Sequence, residues 1–529
     1  MKRHAARAVL VGLLAALAPA AAAQAATFVV NDAGNASDSS AGNGVCRTSG
    51  GVCTLRAAIQ EANASSSLDT ITFAIGSGPR RISLSSSLPT ITQPVVIDGT
   101  TQPGFGGTPL IEIRGTSSLG DGIKISAGGC TLRGVIVNGF GGDGVFVSGP
   151  GGNVIEGNYI GLNAAGDAAV PNQQTGIRIE APNNRIGGRQ VSQRNVISGN
   201  TGRDIMGGLM IYGASAANNV VQGNFIGLDA TGMFPLGNEG RGVAVHDAPG
   251  NFIGGLEPGA GNLIAGNRAT GVRLWGKADG NYVLGNWIGT NKLGETSIGL
   301  WPEPGTLSNA RGVQMRSDNN IVAYNYIAGN TYEGVLFYDG FMKDFNTEAT
   351  ASNNLIYANT ITNNGMFPFG PDGPGGGILV GFGTGNRFIA NSVYDNLAFG
   401  INNQYREWDN VDANDHLDAD TGGNNRQNFP AVTWSSNAGG RTTVAGGLHS
   451  TPNSNFLVQF FASPACDPSG FGEGQYYLGS TTVATDASGD GTFLNVALPY
   501  LVPAGWVLTS TATAANGDTS EFSACYVVK

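Results

Sequence analysis

The sequence predicts an all-β chain in which a long parallel solenoid is followed by a β-sandwich. Three observations lead to this prediction: a short Asn motif that recurs, apolar residues that alternate with polar ones between Gly-rich turns, and no helical period between the repeats. Of the 49 Asn among 529 residues, 39 lie between positions 151 and 428. Such repetition at regular intervals is typical of a solenoid, in which each repeat packs on its neighbours.

The composition excludes several other classes. Charged residues make up 12% of the chain, about half the usual share, and the net charge is −10. This charge argues against nucleic acid as a partner, because phosphate binding needs clustered Lys and Arg. The 84 Gly show no strict three-residue period, so the chain is not collagen-like.

The N-terminus predicts export. Basic residues Lys2 and Arg3 precede an apolar stretch that runs to about Ala23, and the small residues around Gln24 fit cleavage after Ala25. Residues 1–25 are therefore predicted to be a signal peptide. The mature protein is expected to be secreted, periplasmic or at the cell surface. No later segment has the roughly 20 unbroken apolar residues that a transmembrane helix needs.

Export makes disulfide bonds possible. Cys46 and Cys53 enclose a short Gly-rich loop, and Cys466 and Cys525 bracket the C-terminal region, so these four are the predicted disulfide residues. Cys130 lies in an apolar run and is predicted to be a buried thiol. No Cys/His spacing resembles a zinc site.

The repeats specify which solenoid is formed. The motif N-h-h-x-x-N, where h is apolar, starts at Asn153, Asn195, Asn219, Asn262, Asn281, Asn320, Asn354 and Asn386. Strands of three to five residues cannot form a stable sheet alone, but coiling stacks each strand on its equivalent about 4.8 Å away. Corner Asn residues tolerate a left-handed backbone and can bond to the Asn of the next coil. A β-sandwich with Asn-rich turns would not stack identical motifs in this way.

The residues resemble a known family. The segment from Cys53 to Asn63, CTLRAAIQEAN, is similar to the C-[ST]-L-R-x-A-I signature of a bacterial exported group with N-x-I-x-G-N repeats. That group belongs to the right-handed parallel β-helix proteins of the pectin-lyase-like superfamily. The segments that begin at Cys466 and Thr519 resemble its terminal β-domain. The resemblance implies a right-handed parallel β-helix, but the superfamily includes lyases, hydrolases, epimerases and inert adhesins.

The domain boundaries follow from the same patterns. In the segment 26–94, the spacing of Leu55, Ala58, Ile59 and Ala62 predicts a short helix that caps the first coil. Regular coils are expected over 95–403, and an acidic linker or cap over 404–430. Residues 431–529 lose the Asn repeats and gain Thr, Ser and alternating strands, which predicts a β-sandwich.

A second motif, Gly followed by h-x-h-X, predicts where binding residues lie. The h residues face the core, so both x and X are expected to face solvent on one sheet. The final X residues, coil by coil, include Glu180, Tyr212, His246, Trp275, Arg316 and Tyr338. Aromatic rings can stack on sugars and Arg can bind carboxylates, which predicts a polysaccharide-binding cleft. The alternative is that these aromatics pack under the long turns that precede the strands.

Two chemistries are compatible with this surface. For β-elimination on a uronic acid, His246 or Tyr212 would serve as base and acid, while Arg273, Lys277 or Arg316 would neutralise the carboxylate. The predicted substrate contacts are Trp275, Arg273, Tyr338, Lys277 and Glu180.

Hydrolysis would instead need paired carboxylates, for which Asp318 and Asp339 are candidates on adjacent coils and Asp247 is a candidate two coils from Asp318. None of the catalytic patterns of the superfamily's epimerases, polygalacturonases or calcium-dependent lyases is present.

The acidic segment offers a candidate metal site. Asp415, Asp418 and Asp420 supply hard oxygen ligands of the kind that calcium prefers, although the spacing is not that of an EF-hand. A solvated acidic turn is the alternative. The proposed chemistries require no cofactor, and calcium is the candidate ion. The sequence thus predicts an exported polysaccharide-binding protein, either a lyase or hydrolase or a non-catalytic surface adhesin that uses the solenoid as a rigid scaffold.

Overall fold

The strand pairing defines a parallel β-helix followed by a β-sandwich. A computed structural model describes residues 24–203, 206–296, 306–337, 351–365, 375–404 and 411–529. Within these ranges the strands form parallel sheets of twelve, eleven and ten strands and, at the C-terminus, antiparallel sheets of three and four strands. The predicted fold class is therefore confirmed. Residues 1–23 of the predicted signal peptide lie outside the described residues.

The three parallel sheets run the length of the solenoid. Sheet 1 contains Thr27–Val30, Asp69–Phe73, Val95–Asp98, Thr131–Arg133, Val154–Glu156, Arg185–Gly187, Val220–Gln222, Phe252–Gly254, Tyr282–Leu284, Ile321–Ala323, Leu355–Tyr357 and Arg387–Ile389. Sheet 2 contains Arg80–Ser83, Ile111–Arg114, Val135–Asn138, Tyr159–Ile160, Val196–Ile197, Phe225–Ile226, Leu263–Ile264, Trp287–Ile288, Tyr326–Ala328, Thr360–Thr362 and Ser392–Tyr394. Sheet 3 contains Ile123–Ile125, Val145–Val147, Ile177–Ile179, Gly207–Tyr212, Arg241–His246, Val272–Trp275, Val313–Arg316, Val335–Phe337, Ile378–Val380 and Ile401–Asn402. Because sheet 1 starts at Thr27, the parallel stack includes strands of the segment 26–94.

The core forms because alternate residues of each short strand point inward. In the strand Val272–Trp275, for example, Val272 and Leu274 are fully buried and stack on their equivalents in the coils on either side. The same alternation recurs in all three sheets. A single apolar core therefore extends along the solenoid.

Buried Asn ladders hold the corners between the sheets. In each ladder the side-chain amide of one Asn donates to the side-chain oxygen of the Asn in the next coil, over distances such as 2.8 Å from Asn184 to Asn219 and 3.3 Å from Asn281 to Asn320. The first ladder comprises Asn153, Asn184, Asn219, Asn251, Asn281, Asn320, Asn354 and Asn386. The second comprises Asn158, Asn195, Asn224, Asn262, Asn286, Asn325, Asn359 and Asn391. The third comprises Asn172, Asn200, Asn238, Asn267, Asn309, Asn330, Asn364 and Asn396.

A helix covers the N-terminal end of the core, as predicted. It spans Leu55–Asn63, and the Thr54 hydroxyl caps it by accepting a hydrogen bond from Ala57 N. All four residues of the predicted apolar face are buried. Short 3-10 helices lie at Gly99–Thr101, Val191–Gln193 and Gly423–Arg426.

The sandwich covers the other end of the solenoid. Its first sheet contains Ala431–Ala438, Arg441–His449 and Asp490–Ala497, and its second contains Tyr476–Ala484, Asn455–Ser463, Val507–Ala514 and Tyr526–Val527. The Glu473 carboxylate accepts hydrogen bonds from the backbone and side-chain nitrogens of Asn396, the last member of the third ladder. Burial raises the pKa of Glu473 to about 8. The sandwich therefore supplies the partner that the end of this ladder would otherwise lack.

The cysteines pair as predicted. Cys46 is bonded to Cys53 and Cys466 to Cys525, while Cys130 is a buried free thiol. No helix in the described parts of the chain has the length and apolar character needed to cross a bilayer.

Candidate functional site

The predicted row of aromatic and basic side chains lies on adjacent strands of sheet 3. Tyr212 pairs with His246, His246 with Trp275, and Trp275 with Arg316. The ring centroids of Tyr212 and His246 are 5.3 Å apart, and those of His246 and Trp275 are 5.8 Å apart. These four residues, called the outer row below, therefore form one continuous line of contacts along the solenoid axis.

Cations lie beside the aromatic rings of the outer row. The Arg273 guanidinium lies 3.3 Å from the centroid of the Trp275 ring, and that of Arg316 lies 5.3 Å from it. The Arg178 guanidinium lies 5.7 Å from the Tyr212 ring. Arg178 is also paired with Glu180, whereas Arg273 and Arg316 both lie against the Trp275 indole.

The prediction that all x and X side chains face solvent is wrong in part. Met210, Ala244, Arg273 and Gln314 of the x positions are buried, and Arg316 of the outer row is only 9% exposed. The cause is crowding: bulky side chains cover one another within a strand, as the Arg273 guanidinium and the Trp275 ring do, and across strands about 4.8 Å apart, as Trp275 and Arg316 do. Tyr212, His246 and Trp275 remain half-buried.

His246 lies half-buried in the middle of the outer row. Its side chain is 23% exposed, and its Nε2 lies 3.5 Å from Asp247 Oδ2. Burial lowers the pKa of the imidazole; Asp247 opposes this shift, and Arg273 and Arg241 reinforce it. Nδ1 is buried and has no hydrogen-bond partner among the described residues. Burial therefore favours the neutral form of the imidazole, in which one ring nitrogen carries no proton.

The remaining candidates surround the outer row or lie outside it. Asp247 Oδ1 accepts a hydrogen bond from the backbone nitrogen of Lys277, whose side chain is exposed. Glu180 is paired with Arg178. Asp318 Oδ1 accepts from Ser352 N at 2.8 Å and so ties the turns of successive coils. Tyr338 and Asp339 lie outside the described residues.

Sequence reasoning missed two buried carboxylates that precede strands of sheet 3. Burial raises the pKa of Asp143 to about 6, and Asp121 contributes, although Thr175 donates to the carboxylate and Arg178 lies 3.9 Å away. Glu333 is buried 2.9 Å from Arg311. The signal that could have found them is their position, since each directly precedes the Gly that opens a strand.

The predicted metal ligands come together. One carboxylate oxygen from each of Asp415, Asp418 and Asp420 lies within 4.8 Å of the other two, so the group could bind a metal. Burial and the neighbouring carboxylates Asp412, Asp415 and Asp418 raise the pKa of Asp420 to about 6. Its Oδ1 is buried and accepts no hydrogen bond from the residues described here. An orphaned oxygen beside other carboxylates fits a bound cation.

Comparisons with known proteins give only distant similarities. No protein-family model matches the sequence, and no curated protein matches it significantly. The pectate lyase Pel9A is 15% identical over 71% of this chain and 78% of its own, with a TM-score of 0.33. The A-module of the Azotobacter vinelandii mannuronan C-5 epimerase AlgE4 is 14% identical over 67% of this chain and 88% of its own, with a TM-score of 0.33. The PL6 family polysaccharide lyase Pedsa3628 from Pseudopedobacter saltans is 11% identical over 64% of this chain and 83% of its own, with a TM-score of 0.32. Values this low transfer neither fold nor function, so the fold assignment rests on the strand pairing.

Proposed function

We propose that this protein binds an acidic polysaccharide along the outer row and cleaves it by β-elimination. The observation that carries the proposal is the continuous contact line from Tyr212 through His246 and Trp275 to Arg316, with Arg273 against the indole. Aromatic faces suit the apolar faces of sugar rings, and guanidinium groups suit uronate carboxylates. The carboxylates of an anionic chain would be attracted to Arg273 and Arg316 beside the indole.

The chemistry assigns one role to each group. Arg273 and Arg316 neutralise the uronate carboxylate, which makes the proton on C5 more acidic. Neutral His246 takes that proton, and the electron pair of the broken C–H bond forms the C4–C5 double bond. The bond from C4 to the glycosidic oxygen then breaks, and the Tyr212 hydroxyl, the neighbouring acid, protonates the departing oxygen.

Elimination is favoured over hydrolysis by the state of the carboxylates. Hydrolysis needs two carboxyl groups that flank the scissile bond. Asp318 instead accepts a hydrogen bond from the backbone of the next coil, Asp143 is buried, and Asp339 lies outside the described residues. His246, by contrast, has a pKa shifted in the direction that a base requires.

The test is product analysis with polygalacturonate and alginate as substrates. We expect ultraviolet absorbance from unsaturated uronate ends with at least one polymer, and its loss in the H246Q/R316Q double variant. The matched control is R194Q, because the Arg194 guanidinium also stacks on an aromatic ring, Phe225, but at sheet 2, 4.0 Å away. Full activity of the double variant, or equal loss in R194Q, would refute the assignment.

A non-catalytic adhesin is the second candidate, and one observation favours it. Arg273 is 4% exposed and Arg316 is 9% exposed, so both guanidinium groups are largely covered. Buried cations of this kind can serve packing alone. This candidate predicts that the polymers bind without forming any product.

Export and calcium binding are further parts of the proposal. The Cys46–Cys53 and Cys466–Cys525 bonds support export, because disulfides persist in oxidising compartments. Calcium at the Asp420 cluster is supported by the orphaned Oδ1.

Calcium binding can be tested by thermal unfolding. Added calcium should raise the Tm of the wild type and of E257Q, whose carboxylate is exposed on the solenoid, but not that of D420N. Equal shifts in the wild type and D420N would exclude the site.

A further inference from the structure

The sandwich contains a cavity that the proposed function does not use. It has a volume of about 620 Å³, within the range typical of small-ligand sites. The lining residues are Ala462, Gln475, Tyr476, Tyr477, Leu478, Tyr500, Leu501, Val502, Pro503 and Trp506. All of them belong to the C-terminal domain, so the cavity is separate from the outer row on sheet 3.

Both walls of the cavity are held by hydrogen bonds. On one side, Thr442 N donates to Tyr500 O, Val502 N donates to the Thr442 hydroxyl at 2.8 Å, and the Asn437 amide donates to Val502 O at 3.0 Å. On the other side, the strand Tyr476–Ala484 pairs with Asn455–Ser463. The cavity is therefore formed before any ligand arrives, which lowers the entropic cost of binding.

Aromatic rings form the cavity's main surface. The Tyr476 and Trp506 rings are stacked, with centroids 5.5 Å apart and planes inclined at 29°. Trp506 packs against the sandwich core, whereas Tyr476 is 47% exposed and Tyr500 is 59% exposed. A large exposed aromatic surface on a rigid support is the kind that sugar rings stack on.

The polar groups of the cavity are uncharged. No lining residue carries a charged side chain. The backbone of Gln475 is bonded to Ser392 and Ser463, but its side-chain amide and the hydroxyls of Tyr476, Tyr477 and Tyr500 make no hydrogen bond to other described residues, so they can donate to and accept from ligand hydroxyls. An anionic polymer would find no cation here, which distinguishes this cavity from the outer row.

We infer that the sandwich is a carbohydrate-binding module for a neutral glycan, with Tyr476, Trp506 and Tyr500 as the stacking surface. The occupant is a chain of uncharged sugars, because the cavity offers aromatic faces and uncharged hydrogen-bonding groups together. Such a module would hold the solenoid close to a composite polysaccharide in which acidic and neutral polymers occur side by side.

The test is affinity electrophoresis of the full mature chain in native gels that contain konjac glucomannan, xyloglucan, laminarin or soluble starch. We expect at least one of these neutral polymers to retard the wild type. Y476A and Y500A should bind that polymer at least about tenfold more weakly, a loss of about 1.4 kcal/mol. Both residues are exposed, so neither substitution should prevent folding, which circular dichroism will verify.

The matched control is W434A, because Trp434 is an aromatic residue of the same domain, 46% exposed, that does not line the cavity. W434A should be retarded like the wild type. The inference is overturned if no neutral polymer retards the wild type, or if Y476A is retarded equally. It is also overturned if sedimentation velocity shows self-association that Y500A abolishes, because a second copy would then occupy the cavity. The H246Q/R316Q variant should keep its retardation, so this inference and the proposed function can fail separately.

Discussion

Replacing Asn224 by Ala removes one step of a buried Asn ladder, and the structure allows the cost to be worked out. The Asn224 amide donates to Ile186 O at 2.9 Å and to Asn262 Oδ1 at 3.0 Å. Its side-chain oxygen accepts from the side-chain nitrogen of Asn195 at 3.0 Å and from its backbone nitrogen at 3.3 Å. At about 1 kcal/mol for each bond, N224A should lose about 4 kcal/mol of unfolding free energy. Urea denaturation followed by circular dichroism measures this loss.

Two comparisons make the result specific. Q173A removes an exposed amide of the solenoid and should change stability by less than about 0.5 kcal/mol. The double variant N224A/N262A should cost less than the sum of the single variants, because the two side chains share a hydrogen bond. If N224A costs no more than Q173A, or if the double variant is strictly additive, then the hydrogen bonds of the ladder do not stabilise the fold.

Three further predictions concern titration and the disulfides. The pKa of Glu473 is about 8 in the folded state, against an ordinary value of 4.5. Between pH 4.5 and pH 8 the folded protein therefore retains a proton that the unfolded chain loses. The free energy of unfolding should fall over this range by up to about 1.4 kcal/mol per pH unit. The urea midpoints of E473Q should fall less steeply over that range, and parallel curves would contradict the shift. The Cys466–Cys525 bond spans 59 residues, so its removal should lower the free energy of unfolding by about 4 kcal/mol according to the loop-entropy relation. Thermal unfolding of C466S/C525S measures this loss, and a loss below about 1 kcal/mol would contradict the prediction. The lowered pKa of His246 should place the acid limb of kcat below the usual imidazole range of about 6.5, whereas a limb above that range would exclude neutral His246 as the base.

The solenoid could be predicted from sequence because its interior repeats. Residues such as Val272 and Asn224 recur at fixed places in each coil, and each place has one environment: the apolar core for Val and a polar corner for Asn. The pairing of His246 with Trp275 follows from the same regularity, because a one-residue shift would turn the core residues outward. The fold and the alignment of the outer row were accessible for this reason, whereas the helix cap was accessible from the helical spacing of its apolar residues.

The burial of the outer-face cations was not accessible, because no repeat constrains it. Whether Arg273 extends into solvent or lies against Trp275 depends on side-chain torsions and on the bulk of neighbouring side chains, which differ from coil to coil. The raised pKa of Asp143 has the same origin: it depends on burial, which position in the motif does not determine.

The sandwich shows the limit of sequence reasoning more clearly, since its strands do not pair in chain order. Tyr476 and Trp506 meet because Asn455–Ser463 lies between Tyr476–Ala484 and Val507–Ala514, an order that no local pattern specifies. The same arrangement places Glu473 at the end of an Asn ladder. Tyr476 and Glu473 lie close together in the sequence but serve different purposes, because Tyr476 faces the cavity and Glu473 closes the solenoid. A substitution at Tyr476 should therefore alter ligand binding without destabilising the solenoid, whereas one at Glu473 should do the reverse.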